Sequence, residues 1–85
     1  MRDIVNESNP TEYRYMTLLQ KTYKAPAFLL HDSNLPIVRR AYLLKQWRDE
    51  RTRYLYETCH DWDYQKDRQM YQLLKCVNKI KRLQS

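Results

Sequence analysis

The chain contains no glycine. At the average usage near 7%, a chain of this length would carry about six. Glycine is the residue that takes positive φ without steric cost and lets a backbone approach a ligand closely. Its absence excludes the glycine-dependent phosphate loops, the dinucleotide-binding fingerprint, the nucleophile elbow and the regular calcium loop. It also argues against tight β-hairpins, whose favoured turns are Asn-Gly and Asp-Gly. An all-α fold is the expectation that remains.

The 85 residues are expected to form a single small helical domain, 1–85. Chains of this size bury only about 60% of the surface that the unfolded chain exposes. A modest core is therefore expected, and docking onto something larger would help to stabilise it. No run of apolar residues approaches the 18 needed to span a bilayer. The opening MRDIVNESNP has an early acid and no apolar stretch, so it does not read as a secretory signal. Two cysteines, Cys59 and Cys76, are too few for a disulfide framework. Both are expected to be small buried hydrophobes in an intracellular, reduced setting.

Four segments follow from the apolar spacing and the end signals. A first helix is expected over about 10–24, with Asn9 as cap, Pro10 at the first position and Glu12 completing a capping box. Tyr15, Leu18, Leu19, Thr22 and Tyr23 would line its inner face. Pro26 ends it by disfavouring helix at Ala25. The segment 25–35 reads as an apolar loop carrying Phe28, Leu29 and Leu30. These either fold back over the core or plug into a partner, since exposed apolar clusters mark interfaces. A second helix is expected over about 36–60 and a third over about 63–83, with Asp61 or Asp63 as cap. The two form an antiparallel hairpin; the alternative is one long C-terminal rod of about 70 Å. In the hairpin Cys59 and Cys76 lie about 16 Å apart along the axis, too far for a disulfide.

The stretch RRAYLLKQWRDERTRYLY, residues 39–56, crowds five arginines among aromatic and aliphatic side chains. On a helical wheel Arg40, Arg48 and Arg51 fall within or beside the apolar arc, whereas Arg39 and Arg53 fall on the outer side with acids nearby. Cations on an apolar arc snorkel, find carboxylates or meet a partner. Arginine with aromatic residues is also the composition of interface hot spots. The expected protein-interface residues are Phe28, Leu29, Leu30, Arg40 and Tyr42, together with Trp47, Arg48, Arg51, Tyr54 and Tyr56.

Charge is uneven along the chain. Residues 64–85 hold six basic groups and one acid, which accounts for +5 of the net +6. In the third helix Met70, Leu73, Val77 and Ile80 keep a three-four-three apolar spacing. Opposite them Arg68, Lys75, Lys79 and Arg82 make a basic stripe, with Tyr71 and Gln72 beside it. An ordinary exposed helix interleaves both signs. This stripe is the expected contact for phosphate, in RNA or anionic lipid headgroups, or for an acidic protein surface.

No catalytic residue, metal site or cofactor is expected. The spacing in CHDWD fits no structural zinc pattern, and no nucleophile pairs with His31-Asp32. The pair Tyr13 and Arg14 in EYRYMTLL resembles part of the Leu-Tyr-Arg signature of small basic three-helix proteins that serve mitochondrial respiratory complexes. Glu12 stands where that signature has leucine, and no functional residue is carried over from the resemblance. The expected function is a non-catalytic accessory subunit held by protein contacts in a large assembly, such as a mitochondrial respiratory complex or a ribosome. The alternative is a small basic nucleic-acid-binding protein, of ribosomal type or a viral or phage regulator, that uses its C-terminal helix.

Overall fold

The apolar spacing of the C-terminal segment produces what it predicts. In the structure, a computed structural model that describes residues 13–59 and 61–85, Met70, Leu73, Val77 and Ile80 are all buried along one side of a helix. The described residues form four helices and no strand: α1 (Arg14–Tyr23), α2 (Pro26–Leu30), α3 (Ile37–Thr58) and α4 (Arg68–Gln84). Helices α3 and α4 pack as the expected hairpin, and α1 and α2 close over it. The core is continuous. It joins Met16 and Leu19 of α1, Leu29 and Leu30 of α2, Leu44 and Trp47 of α3, and Met70, Leu73, Val77 and Ile80 of α4.

Helix α1 is held by a cap from another element. The expected cap at Asn9, Pro10 and Glu12 lies outside the described residues. Tyr13 occupies the N-cap position and makes no side-chain cap bond. The carboxylate of Glu50, buried on α3, instead accepts the N–H of Met16 at 2.8 Å. That amide lies in the first turn, where it has no partner within its own helix. An anion at this end also complements the helix dipole, which accounts for a buried glutamate inside an apolar core. Met16 and Leu19 carry the inner face, while Leu18 and Thr22 point outward, contrary to expectation. Tyr15 and Tyr23 pack half-buried against the core as expected, so the inner face is centred on Met16 and Leu19.

The chain leaves α1 through Lys24, whose φ is +69°. The Ala25 N–H donates to the Tyr23 carbonyl at 2.7 Å across it, a γ-turn with a positive central φ, which is strained for a residue bearing a Cβ. A chain without glycine makes this bend with lysine.

The segment 25–35 is not wholly a loop. Pro26 sits at the start of α2 with its φ already suited to a helix. One short turn and a half carries Leu29 and Leu30 into the core and leaves Phe28 outside, 66% exposed. The Arg40 side chain then ties this segment to α3, donating to the carbonyls of Leu30 at 2.9 Å and Leu35 at 3.0 Å. Those acceptors include the C-terminal end of α2, where carbonyls lack helical partners and a cation is favoured.

The hairpin turn divides its capping between two aspartates. Asp63, expected as a helix cap, accepts from the amides of Gln65 and Lys66 at 2.8 and 2.9 Å and closes the turn before the helix. Asp67 caps α4 by accepting the Met70 N–H at 2.9 Å. The third helix therefore begins at Arg68 rather than near 63. Asp67 also receives both Nε and Nη2 of Arg51, at 3.2 and 2.6 Å, and so joins the two arms of the hairpin. Burial raises the Asp67 carboxyl pKa, but the bonds from Arg51 and Met70 outweigh this and hold it below the ordinary carboxylate value.

Candidate functional site

Because one side of α4 is committed to the core, the cations between its apolar positions are forced outward. Arg68, Lys75, Lys79 and Arg82 are exposed on the opposite side, and Lys81 is exposed about 100° around the helix from Arg82. The four stripe residues span about 21 Å at 1.5 Å per residue. No acid occurs within α4, and none of these five cations has a carboxylate of the described residues within ion-pair distance. The whole expected stripe is thus brought to one accessible face.

This face is not a plain cylinder. A concavity of about 630 Å³ lies between the hairpin turn and α4, lined by Tyr64, Gln65, Arg68, Tyr71, Gln72 and Lys75. A second hollow of about 320 Å³ lies further along, where Leu30 of α2 meets Lys75, Cys76, Asn78, Lys79 and Arg82. Lys75 borders both hollows, so the basic face runs through them. Its ammonium lies 5.2 Å from the centre of the Tyr71 ring, within cation–π range. Cys76 is buried at the floor; burial raises its thiol pKa against the opposing effect of Lys79 and Lys75.

Tyr64 and Gln65 were not singled out from sequence. The turn runs into α4, and the four-three-four steps from Tyr64 to Arg68, Tyr71 and Lys75 place these side chains around one hollow. Their sequence signal is that spacing, which carries the exposed stripe of α4 back into the turn. The Tyr64 ring is fixed edge-to-face by Trp62 at 5.2 Å, and Trp62 meets Tyr56 in the same way at 5.5 Å.

The expected protein-interface set divides. Leu29 and Trp47 are fully enclosed core residues, and Leu30 is a core residue that shows only an edge in the second hollow. Trp47 is fully buried, and its indole N–H donates to Gln69 at 3.0 Å. Arg40 and Arg51 are engaged within the chain by the carbonyls and carboxylate described above. Arg48 is paired with its neighbour Asp49 at 3.0 Å. Tyr54 is half-buried, with its ring 5.6 Å from that of Tyr13. Phe28, Tyr42 and Tyr56 do stand at the surface. Tyr42 belongs to a continuous patch on α1 and α3: its ring meets Tyr15 at 6.1 Å, Leu18 follows Tyr15 on α1, and Val38 precedes Tyr42 by one turn.

Cys76 is buried as expected, but Cys59 is exposed, because α3 ends at Thr58 before the wheel can carry it inward. Both thiols are free. Asp32, which could have oriented His31, accepts instead from the Tyr23 hydroxyl at 2.5 Å and from the Asn34 amide at 3.0 Å. The Tyr23 bond raises the phenol pKa and lowers that of the carboxyl. Among the described residues, no three of histidine, cysteine, aspartate and glutamate gather as a metal site. No helix among them is long and apolar enough to cross a membrane. No family model, curated protein or solved structure matches the chain.

Proposed function

We propose that this protein is a non-catalytic accessory component of a larger assembly, docked through the basic face of α4 onto an anionic surface. One observation carries the reading: Arg68, Lys75, Lys79 and Arg82 lie on a single face of α4 without carboxylate partners among the described residues. Like charges ranged along a helix repel one another, and an anionic partner relieves that repulsion while steering association. The apolar patch of Leu18, Val38 and Tyr42 supports the accessory role, since it offers a second surface of the kind that protein neighbours cover. The two faces lie on different helices, so one chain can bridge two neighbours.

The test is the state of the tagged chain when recovered gently from its native source. Co-migration with a large particle at low salt, release on raising the salt, and loss of co-migration in Lys75→Glu/Lys79→Glu/Arg82→Glu are the expected results. Recovery as a free monomer at low salt would overturn the reading.

A further inference from the structure

We propose that the anionic partner of α4 is a single-stranded nucleic acid, with its bases against Tyr64 and Tyr71 and its phosphates along Lys75, Lys79 and Arg82. This rests on the reading of α4 as a docking face and specifies what docks there. Cations alone would suit any polyanion. The larger hollow adds planar rings and side-chain amides to the cations, and that combination is selective.

Tyr64 and Tyr71 are 46% and 51% exposed, so each presents ring surface to a ligand. The Tyr64 ring is braced by Trp62, and Lys75 lies over the Tyr71 ring. Such bracing lowers the entropy that a stacked ligand would otherwise cost. Gln65 and Gln72 each offer donors and an acceptor suited to a base edge. Neither a phospholipid headgroup nor an acidic peptide backbone has a flat face to place against these rings, whereas every nucleobase does. A duplex keeps its bases stacked on one another, which leaves the single strand as the form that can use the hollow.

The track continues from there. Lys75 borders both hollows, and Lys79 and Arg82 follow at intervals of about one helical turn. A strand with a base seated at the tyrosines can therefore run its backbone along α4. The interaction rests on stacking, which is sequence-tolerant, and the Gln65 and Gln72 amides can donate to or accept from any base edge.

The experiment is fluorescence anisotropy of the full chain with labelled oligouridylate and oligodeoxythymidylate, across a salt series. An abasic strand carrying the same phosphates, a duplex, and vesicles containing phosphatidylglycerol are measured alongside. Both base-bearing strands should bind, and the abasic strand about tenfold more weakly. Tyr64→Ala and Tyr71→Ala should each weaken binding about tenfold with the salt slope unchanged, while the phenylalanine variants keep their affinity. Lys79→Gln should instead reduce the log–log salt slope by about 0.7. Far-UV circular dichroism checks the alanine variants, and if either unfolds, the abasic comparison on the unaltered chain decides. Equal binding of abasic and base-bearing strands, or binding to vesicles without binding to strands, overturns this inference and leaves the docking face standing. Loss of salt-dependent binding to every anion overturns both.

Discussion

Replacing Asp67 by alanine removes two interactions from the junction of the hairpin, and replacing it by asparagine removes mainly one. The carboxylate caps α4 through the Met70 amide and receives a bidentate bond from Arg51. A lost N-cap costs about 1 kcal/mol, and asparagine caps as well as aspartate. The ion pair lies between regimes, with its side chains only 18% and 15% exposed. Exposed pairs contribute about 0.2–1 kcal/mol, while breaking a buried pair costs about 3–5. A value of about 2 kcal/mol fits this partial burial. Asp67→Ala should therefore destabilise by about 3 kcal/mol and Asp67→Asn by about 2, with Arg51→Met near the latter. Urea unfolding followed by circular dichroism measures each, and the cycle of Arg51→Met with Asp67→Asn isolates their coupling. The pH dependence supplies a second readout. The folded carboxyl pKa is depressed, so its contribution is present above the unfolded value near 3.9 and is lost as pH falls through the folded one. Arg51→Met should flatten that acid limb. An Asp67→Asn variant as stable as the parent, or a coupling energy near zero, would refute the assignment of Asp67 as the clamp of the hairpin.

Other outcomes follow from single residues. Trp47→Phe should cost about 1–2 kcal/mol by leaving Gln69 without its indole donor, and Trp47→Ala about 3–5 through the cavity it opens, both measured by urea unfolding. Glu50→Ala should loosen α1 ahead of the hairpin, seen as faster hydrogen exchange at Met16 than at Val77. Lys24→Gly should relieve the positive φ and stabilise by up to about 1 kcal/mol in thermal unfolding; a loss of stability would show that the bend is not strained.

The parts of this fold that were legible in the sequence are those decided within one element. Helix α4 carries its apolar spacing and its cations on opposite sides, so both its burial and its exposed stripe follow from a single wheel. The absence of glycine pointed to helices for a similarly direct reason. What depended on a second element was harder to read. A wheel places Arg51 on the inner side of α3 but cannot say that Asp67 waits across the hairpin. It places Arg40 there too, without revealing the carbonyls at the end of α2. Five residues are too short for periodicity to identify, so 25–35 reads as a loop from sequence, where Leu29 and Leu30 suit either core or interface. In the hairpin turn, Asp61, Asp63 and Asp67 are all capable caps, and only the path of the backbone selects Asp67. The larger hollow is only partly legible: the four-three-four spacing of Tyr64, Arg68, Tyr71 and Lys75 is in the sequence, but Tyr64 precedes the helix, so a wheel of α4 alone leaves it out.

The opposed sides of α4 also bear on how such a protein can change. Stripe side chains touch solvent rather than the interior, so exchanging one cation for another, or for a neutral residue, leaves the packing of Leu73, Val77 and Ile80 undisturbed. Grip on a partner can then drift in small, graded steps while the fold stays constant. On α3 that freedom is missing, because Arg40 and Arg51 are fastened to atoms of other elements. Packing therefore places no constraint on the outer side of α4, where only the partner does, whereas the inner side of α3 is fixed by the fold itself.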